Sequence, residues 1–369
     1  MNILRDIEPQ RLPPTCLAVG VFDGVHVGHQ AVLRQAVAGA REARLLAAAL
    51  TFDPHPARAL QPRRAPLLLT TMPERAALIA ELGIEVLVIV KFDRAFANQT
   101  PEEFARCVLA QRLNARCVVA GEGFAFGRGA SGNIAALAEL GEKLGFYASA
   151  VKRVTVDGAE VSSTMVRELI SAGEIERASA LLGHYYVITG PVAPGDRRGR
   201  NLGFPTANIR VGRDKLLPPN GVYAVRAHIE GDAEKAGACP GPSQRGHPRH
   251  LPRAGTAANA QGQSRGESAA ARAGGAATAH SGFGAALPAV ANIGVRPTFG
   301  RSGARRAAQQ AWVEAYMIGA DPGDLYGRTI TLEVVSRLRD EKRFATAKAL
   351  VEQIQRDVAR AQEILSHRV

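Results

Sequence analysis

The chain has 369 residues, 46% of them apolar, and carries 46 Lys and Arg against 34 Asp and Glu, a formal net charge of +12. That length exceeds what one hydrophobic core usually organises, so two domains are expected. No apolar run reaches the roughly 18 residues of a membrane span, and the first residues, Met1-Asn2-Ile3-Leu4-Arg5-Asp6, lack a signal-like apolar stretch, so a cytoplasmic protein without a membrane partner is expected. Cys16, Cys107, Cys117 and Cys239 show no zinc-site spacing and read as buried thiols. The basic balance suits an enzyme of phosphorylated substrates and a nucleic-acid binder equally. Only 12 Phe, 6 Tyr and 1 Trp are present, without the aromatic and basic interleaving of a stacking platform, so no nucleic acid is expected as partner.

In chain order, short apolar runs at 16–21, 45–52, 86–90, 117–120 and 148–154 alternate with helical patterns. Thr71-Met72-Pro73-Glu74 and Thr100-Pro101-Glu102-Glu103 have the form of capping boxes with proline in the first turn. Alternating strands and helices imply a parallel sheet covered on both faces, with ligands at the strands' carboxyl ends. After Gly183 strands follow one another without helices, as at 185–189, 222–229 and 330–338. There Ile330, Leu332, Val334 and Leu338 are expected on one face, and Thr331, Glu333, Arg337 and Arg339 on the other. The fold class is therefore an α/β nucleotide-binding domain over 1–183, followed over 184–369 by a small antiparallel β-barrel. A terminal amphipathic helix should present Leu350, Val351, Ile354, Val358, Ala361 and Leu365 at three- and four-residue steps. Residues 232–286, mainly Ala, Gly, Arg, Ser, Gln and Pro, cannot bury enough apolar surface to offset ordering, and read as a disordered insertion.

The first chemical signal is Gly20-Val21-Phe22-Asp23-Gly24-Val25-His26-Val27-Gly28-His29, where the first strand turns into a helix. A helix amino terminus offers N–H donors, Gly28 allows close backbone approach, and His26 and His29 can both face one phosphate chain. Such a site suits transfer at the α-phosphate of a nucleotide. Thr51-Phe52-Asp53-Pro54-His55-Pro56 brings His55 to the same sheet edge. Val161-Ser162-Ser163-Thr164-Met165-Val166-Arg167 opens a later helix, where Ser163, Thr164 and Arg167 could grip a triphosphate, although Ser-Ser-Thr alone is more often a cap.

The second signal is the glycine- and arginine-rich stretch 190–208. Gly195, Gly199 and Arg200 could close over phosphates, and Thr206 with Asn208 offers two oxygen ligands to Mg²⁺. Glu314, within Trp312-Val313-Glu314-Ala315-Tyr316, is a carboxylate where a hydrophobe is expected. It is either an internal ion pair with a barrel arginine or a base for a substrate hydroxyl. There is no P-loop, and Gly121-x-Gly123-x-x-x-Gly127 lacks dinucleotide-fingerprint spacing.

The segments GVFDGVHVGHQ, TFDPHP, GEGFAFG and VSSTMVRELI resemble the adenylyltransferase module of prokaryotic FAD synthetases. GPVAPGDRRGRNLGFPTAN, LLPPNGVYAV, ANIGVRPTF, WVEAYMIGADPGDLYG and RLRDEKRF resemble the riboflavin kinase module of the same bifunctional enzymes. The resemblance implies riboflavin, FMN and ATP as substrates and Mg²⁺ as cofactor, with a six-stranded barrel. It assigns the ATP phosphates to His26 and His29, the triphosphate to Ser163, Thr164 and Arg167, and magnesium and ATP to Thr206 and Asn208. Glu314 would activate the ribityl 5′-hydroxyl. Flavin contacts would come from Gly123, Phe124 and Phe126 in one module and from Arg339 and Arg343 in the other. Gly123 departs from the family's Asn or Asp at that point. The alternatives are a nucleotidyltransferase for another small phosphate ester and a basic nucleic-acid-binding protein.

Overall fold

The computed structural model describes residues 1–6, 12–195, 202–230, 285–295, 311–320 and 323–367. Gly199, Arg200, Cys239 and nearly all of the 232–286 segment lie outside the described residues.

Strands β1 (Asn2–Arg5), β2 (Thr15–Val19), β3 (Leu46–Asp53), β4 (Val86–Lys91), β5 (Ala115–Gly121) and β6 (Tyr147–Val151) form a parallel sheet in the order β1-β4-β3-β2-β5-β6. The apolar runs predict five of these strands, because parallel strands covered on both faces need hydrophobes at every position. Helices α1 (Val27–Ala43) and α3 (Met72–Glu81) cover one face, over Cys16, Ala18, Ala47, Ala49, Leu87 and Ile89. Between them lies the short α2 (Pro56–Leu60). The other face packs Leu17, Val19, Ala48, Leu50 and Val88 against Phe104, Val108, Leu109 and Leu137. These come from the helical stretch after α4 (Arg94–Ala97), which opens as α5 (Pro101–Glu103) and continues in π geometry over Phe104–Arg112, and from α6 (Ile134–Leu144). The capping box at α5 forms: Thr100 Oγ1 accepts the Glu103 N–H at 3.1 Å and Glu103 Oε2 accepts the Thr100 N–H at 2.8 Å.

A small hairpin, β7 (Thr155–Val156) with β8 (Ala159–Glu160), leads to α7 (Ser163–Ala172) and α8 (Ile175–Leu182). The chain then closes a six-stranded barrel in the order β10-β13-β12-β11-β14-β9. Its strands are β9 (Tyr186–Ala193), β10 (Ala207–Ile209), β11 (Gly221–Ile229), β12 (Ala286–Val295), β13 (Ala311–Met317) and β14 (Thr329–Asp340). Tyr223, Val225, Ala227, Ala291, Val313, Ala315, Ile330, Leu332 and Val334 fill the interior, and the same core continues into Val166, Ile170 and Leu182 of α7 and α8.

Helix α9 (Ala347–Ser366) seats Ala361 and Leu365 on the outer barrel face against Val222, Ala224, Val335 and Leu338. Leu338 therefore lies opposite Ile330, Leu332 and Val334, contrary to the alternation expected from the sequence. A register shift is the reason: Val225 pairs with Val334 but Ala224 pairs with Ser336, so Val335 is an extra residue that reverses which face the following side chains take. Glu333, expected on a polar face, is fully buried with its Oε2 3.5 Å from His228 Nε2.

Candidate active sites

The turn from β2 into α1 is held open by strained backbone. Phe22 (φ 53°) and Val25 (φ 42°) are left-handed, a costly conformation for bulky side chains that must be enforced from outside. The enforcement is visible. Gly24 donates its N–H to Thr70 Oγ1 at 3.0 Å, His184 Nε2 lies 3.1 Å from the Gly24 carbonyl, and Gln30 Nε2 donates to the carbonyls of Val25 (3.0 Å) and Leu182 (2.7 Å).

His26 is the N-cap of α1, and its Nδ1 accepts the His29 N–H at 3.3 Å. That bond makes Nδ1 the acceptor and leaves the ring proton of the neutral imidazole on Nε2. The two imidazoles stack, with centroids 3.7 Å apart and planes inclined by 17°. A Cβ at Gly28 would come within 3.1 Å of the His26 ring, so the stacked arrangement is tight against any larger residue there. Burial pushes the His26 pKa down to about 4, and burial together with the neighbouring His26 holds His29 well below its usual value. Both rings are therefore neutral at pH 7. The first turn of α1 holds no acidic residue, and its remaining N–H groups, on Val27 and Gly28, have no intrahelical partner.

Beneath this turn lies an ionic cluster. Asp23 is buried; its carboxylate accepts from the N–H groups of Leu69 (3.1 Å) and Thr70 (2.9 Å) and pairs with Arg75 (3.2 Å) and Arg167. Burial alone would raise its pKa, but the two guanidinium groups and the two N–H donors outweigh burial and hold it below the usual value. Arg167 also donates Nε to the Leu67 carbonyl at 2.9 Å, and Ser163 donates its hydroxyl to the Asp23 carbonyl at 2.9 Å. Ser162 caps α7. A cavity of about 370 Å³ opens beside the turn, and His26, Gly28, His29, Gly123, Phe124 and Ser163 are among its lining residues.

On the barrel, Val313 and Ala315 point inward, so Glu314 between them lies on the outer face. The register places Glu314 between Asn208 of β10 and Asn292 of β12, three polar residues in one row across adjacent strands. Glu314 Oε1 accepts the Trp312 indole N–H at 2.6 Å. Among the described residues that indole, and not a barrel arginine, is the partner the structure gives this carboxylate. Asn208 is buried, and among the described residues its Oδ1 has no partner. The segment after β9 crosses over it: a Cβ at Gly195 would fall 1.8 Å from Asn208 Nδ2, so any larger residue there would displace the Asn208 amide.

A family model for FAD synthetase matches residues 8–165, and a model for riboflavin kinase matches residues 182–365. The bifunctional riboflavin kinase/FMN adenylyltransferase of Escherichia coli is 31% identical over 366 residues, 98% of this chain and 97% of that protein. The chain belongs to the bifunctional riboflavin kinase/FMN adenylyltransferase family. The Bacillus subtilis member is 31% identical over 343 residues, covering 92% of this chain and 89% of its own. The Listeria monocytogenes member is 41% identical over 217 residues, 58% of this chain and 68% of its own. A solved Streptococcus pneumoniae structure described as a macrolide-efflux protein superposes with a TM-score of 0.73 over 98% of this chain and 99% of that one, at 24% identity, a likeness of fold alone. Among the described residues no helix is long and apolar enough to cross a membrane.

Measured against that family, the structure gathers some expected residues and separates others. Phe124 borders the cavity, whereas Phe126 is buried behind it, stacked on Phe124 with centroids 5.4 Å apart and in contact with Phe104. His55 caps α2 through Nδ1, which accepts the Ala57 N–H at 3.1 Å; its pKa is lowered by burial. Thr164 is exposed on the first turn of α7. Arg339 grips Asp357 of α9 with Nε and Nη2 at 2.7 to 3.0 Å, while Arg343 is exposed. Asp23, Arg75 and Lys152, which lines the cavity, were not singled out by the sequence. The partners of Asp23 stand 46 to 144 positions away, so nothing local marks it. Asn292 could have been found by strand parity, since it sits opposite Glu314.

Proposed function

We infer that the two activities of the family fall to the two sites just described, with the division of the chain between 183 and 184. The chain phosphorylates riboflavin to FMN with ATP and adenylylates FMN to FAD. The observation that carries the assignment is the presence of two separate polar sites of different chemistry. One is a helix amino terminus with neutral histidines beside a cavity; the other is a carboxylate flanked by two asparagine amides on a barrel face.

In the adenylyl transfer, an FMN phosphate oxygen attacks the α-phosphorus of ATP and pyrophosphate leaves. The N–H groups of Val27 and Gly28 and the His26 Nε2–H donate to phosphate oxygens as negative charge shifts onto the leaving group. His29, stacked on His26, fixes that ring. Arg167, aimed by Asp23, holds the triphosphate with Ser163 and Thr164, and His55 stands at the same sheet edge. Gly123 and Phe124 border the flavin.

In the kinase reaction, Glu314 takes the proton of the ribityl 5′-hydroxyl as that oxygen attacks the γ-phosphorus and ADP leaves. Trp312 occupies Oε1, so Oε2 receives the proton. We assign Gly195, Gly199 and Arg200 to the ATP phosphates and Arg339 and Arg343 to the flavin. Asn208 Oδ1, buried and without a partner among the described residues, suits a cation, so Thr206 and Asn208 would hold Mg²⁺ together with ATP oxygens. Among the described residues no cluster of three or more His, Cys, Asp or Glu offers an alternative. Bound with ATP, the ion neutralises phosphate charge. The reactions belong in the cytoplasm, where ATP is supplied.

Chromatography of products tests the reading. Riboflavin with ATP and Mg²⁺ should give FMN and then FAD, and FMN should give FAD with pyrophosphate. Turnover of another phosphate ester with both flavins left untouched would contradict it.

A further inference from the structure

Outside the two sites, the most deeply buried ionic group lies where the barrel meets the parallel-sheet region. Glu74 of α3 and Lys215, which follows β10, are both fully buried, with Nζ 2.8 Å from Oε2. Lys215 Nζ also donates to the Leu69 carbonyl at 2.6 Å and lies 4.5 Å from the centroid of the Tyr186 ring. Glu74 accepts the Thr189 N–H of β9 at 2.8 Å on Oε1 and the Thr71 N–H at 2.7 Å on Oε2. Backbone bonds reinforce the junction: Leu68 N–H donates to the Asp214 carbonyl at 2.7 Å, and Leu216 N–H donates to the Leu68 carbonyl at 2.8 Å.

A buried ion pair is weak evidence for stability, because well-packed apolar residues of similar volume often do as well. What this pair does provide is geometry. The ammonium that holds the Leu69 carbonyl acts on the same two residues whose N–H groups hold both oxygens of Asp23. Asp23 in turn orients Arg167, and its carbonyl takes the Ser163 hydroxyl. An unbroken chain of hydrogen bonds thus runs from the barrel to the adenylyl-transfer site.

We propose that Lys215, a barrel residue outside both active sites, is a positioning residue for FMN adenylylation. With Glu74 it fixes the Leu69–Thr70 segment that sets Asp23 and Arg167. The proposal rests on Arg167 as a triphosphate ligand. FAD formation in this chain then depends on a side chain supplied by the kinase barrel, whereas riboflavin phosphorylation does not.

The test uses the full-length protein with both reactions measured on each variant. Lys215→Met alone leaves Glu74 buried without its cation, so the double variant Lys215→Met/Glu74→Gln, which removes both charges, is the informative one. Its riboflavin phosphorylation should stay within about twofold of the unaltered protein. Its kcat for FMN adenylylation should fall by about tenfold or more at unchanged KM for FMN, the signature of misplaced phosphate-holding groups. Adenylylation within about twofold of the unaltered protein would overturn the proposal, and so would equal losses of both activities in step with the melting temperature, which would reduce the pair to a stability element. Arg167→Met separates the two claims. If it adenylylates FMN normally, the site assignment itself fails. If it is crippled while the double variant is not, only the positioning role fails.

Discussion

His26 shows how one backbone bond decides the chemistry of a side chain. Because its Nδ1 accepts the His29 N–H, the neutral ring presents Nε2–H, and burial keeps it neutral until the pH nears 4. The same shift sets a stability window. A histidine whose folded pKa is about 4 and whose ordinary value is 6.5 binds fewer protons folded than unfolded between those limits, so stability falls as the pH drops through them. His29 and His55 act in the same direction. Asp23, held below its ordinary 3.8, keeps its charge through the window and loses its contribution only at lower pH. Melting temperatures measured across the window should therefore decline toward acid, and the decline should be shallower in His26→Gln. An equal slope in both proteins would contradict the burial argument. Gly123 supports a second expectation. Its φ lies outside the left-handed region, and a Cβ there would meet nothing closer than Arg153 Nη2 at 3.7 Å. Gly123→Asn should fit and tighten FMN by about 1 kcal/mol, the value of one net hydrogen bond, as read by titration.

At the scale of elements, α9 is tied to the barrel by more than its apolar stripe. Arg339 of β14 meets Asp357 of α9 through Nε and Nη2, with side-chain exposures of 15% and 7%, and Gln353 adds a bond to Asp357 at 2.8 Å. Asp357→Ala leaves the guanidinium half-buried and unpaired, and should cost about 3 kcal/mol, seen as a lower denaturant midpoint at unchanged m-value. How much of the elements the sequence discloses follows from physics. Parallel strands announce themselves because both faces are covered, and capping boxes because their donors and acceptors are local. β1 does not, since all four of its residues are exposed at the sheet edge. The bulges of β14 are also hidden, because Val335 and Leu338 look no different whichever face they take. Glu74 was visible only as a cap; a lysine 141 residues away, of a type rarely buried, gives no local sign of pairing with it. Histidines, hydroxyls and glycines at the helix starts stand out in the sequence because they fall at short spacing. The ionic cluster behind them was not, because long-range contacts made it.

At the scale of the whole molecule, residues 232–286 interrupt a hairpin whose two strands meet directly, with His228 opposite Ala286 and Arg226 opposite Pro288. Closing such a pair needs only a short connection, and loop entropy changes slowly with length. Replacing residues 236–281 by a brief Gly/Ser linker should leave both activities and the melting temperature nearly unchanged; a large fall in riboflavin phosphorylation would show that the segment serves the kinase site. The two sites themselves sit on different sheets, joined through the Glu74–Lys215 junction, and the central claim is that each catalyses one reaction. The most direct measurement is product analysis of Glu314→Gln and His29→Ala, each given ATP and Mg²⁺ with riboflavin or with FMN. Glu314→Gln should make FAD from FMN and nothing from riboflavin, and His29→Ala should stop at FMN. Loss of both reactions in either variant, with the fold intact, would contradict the account.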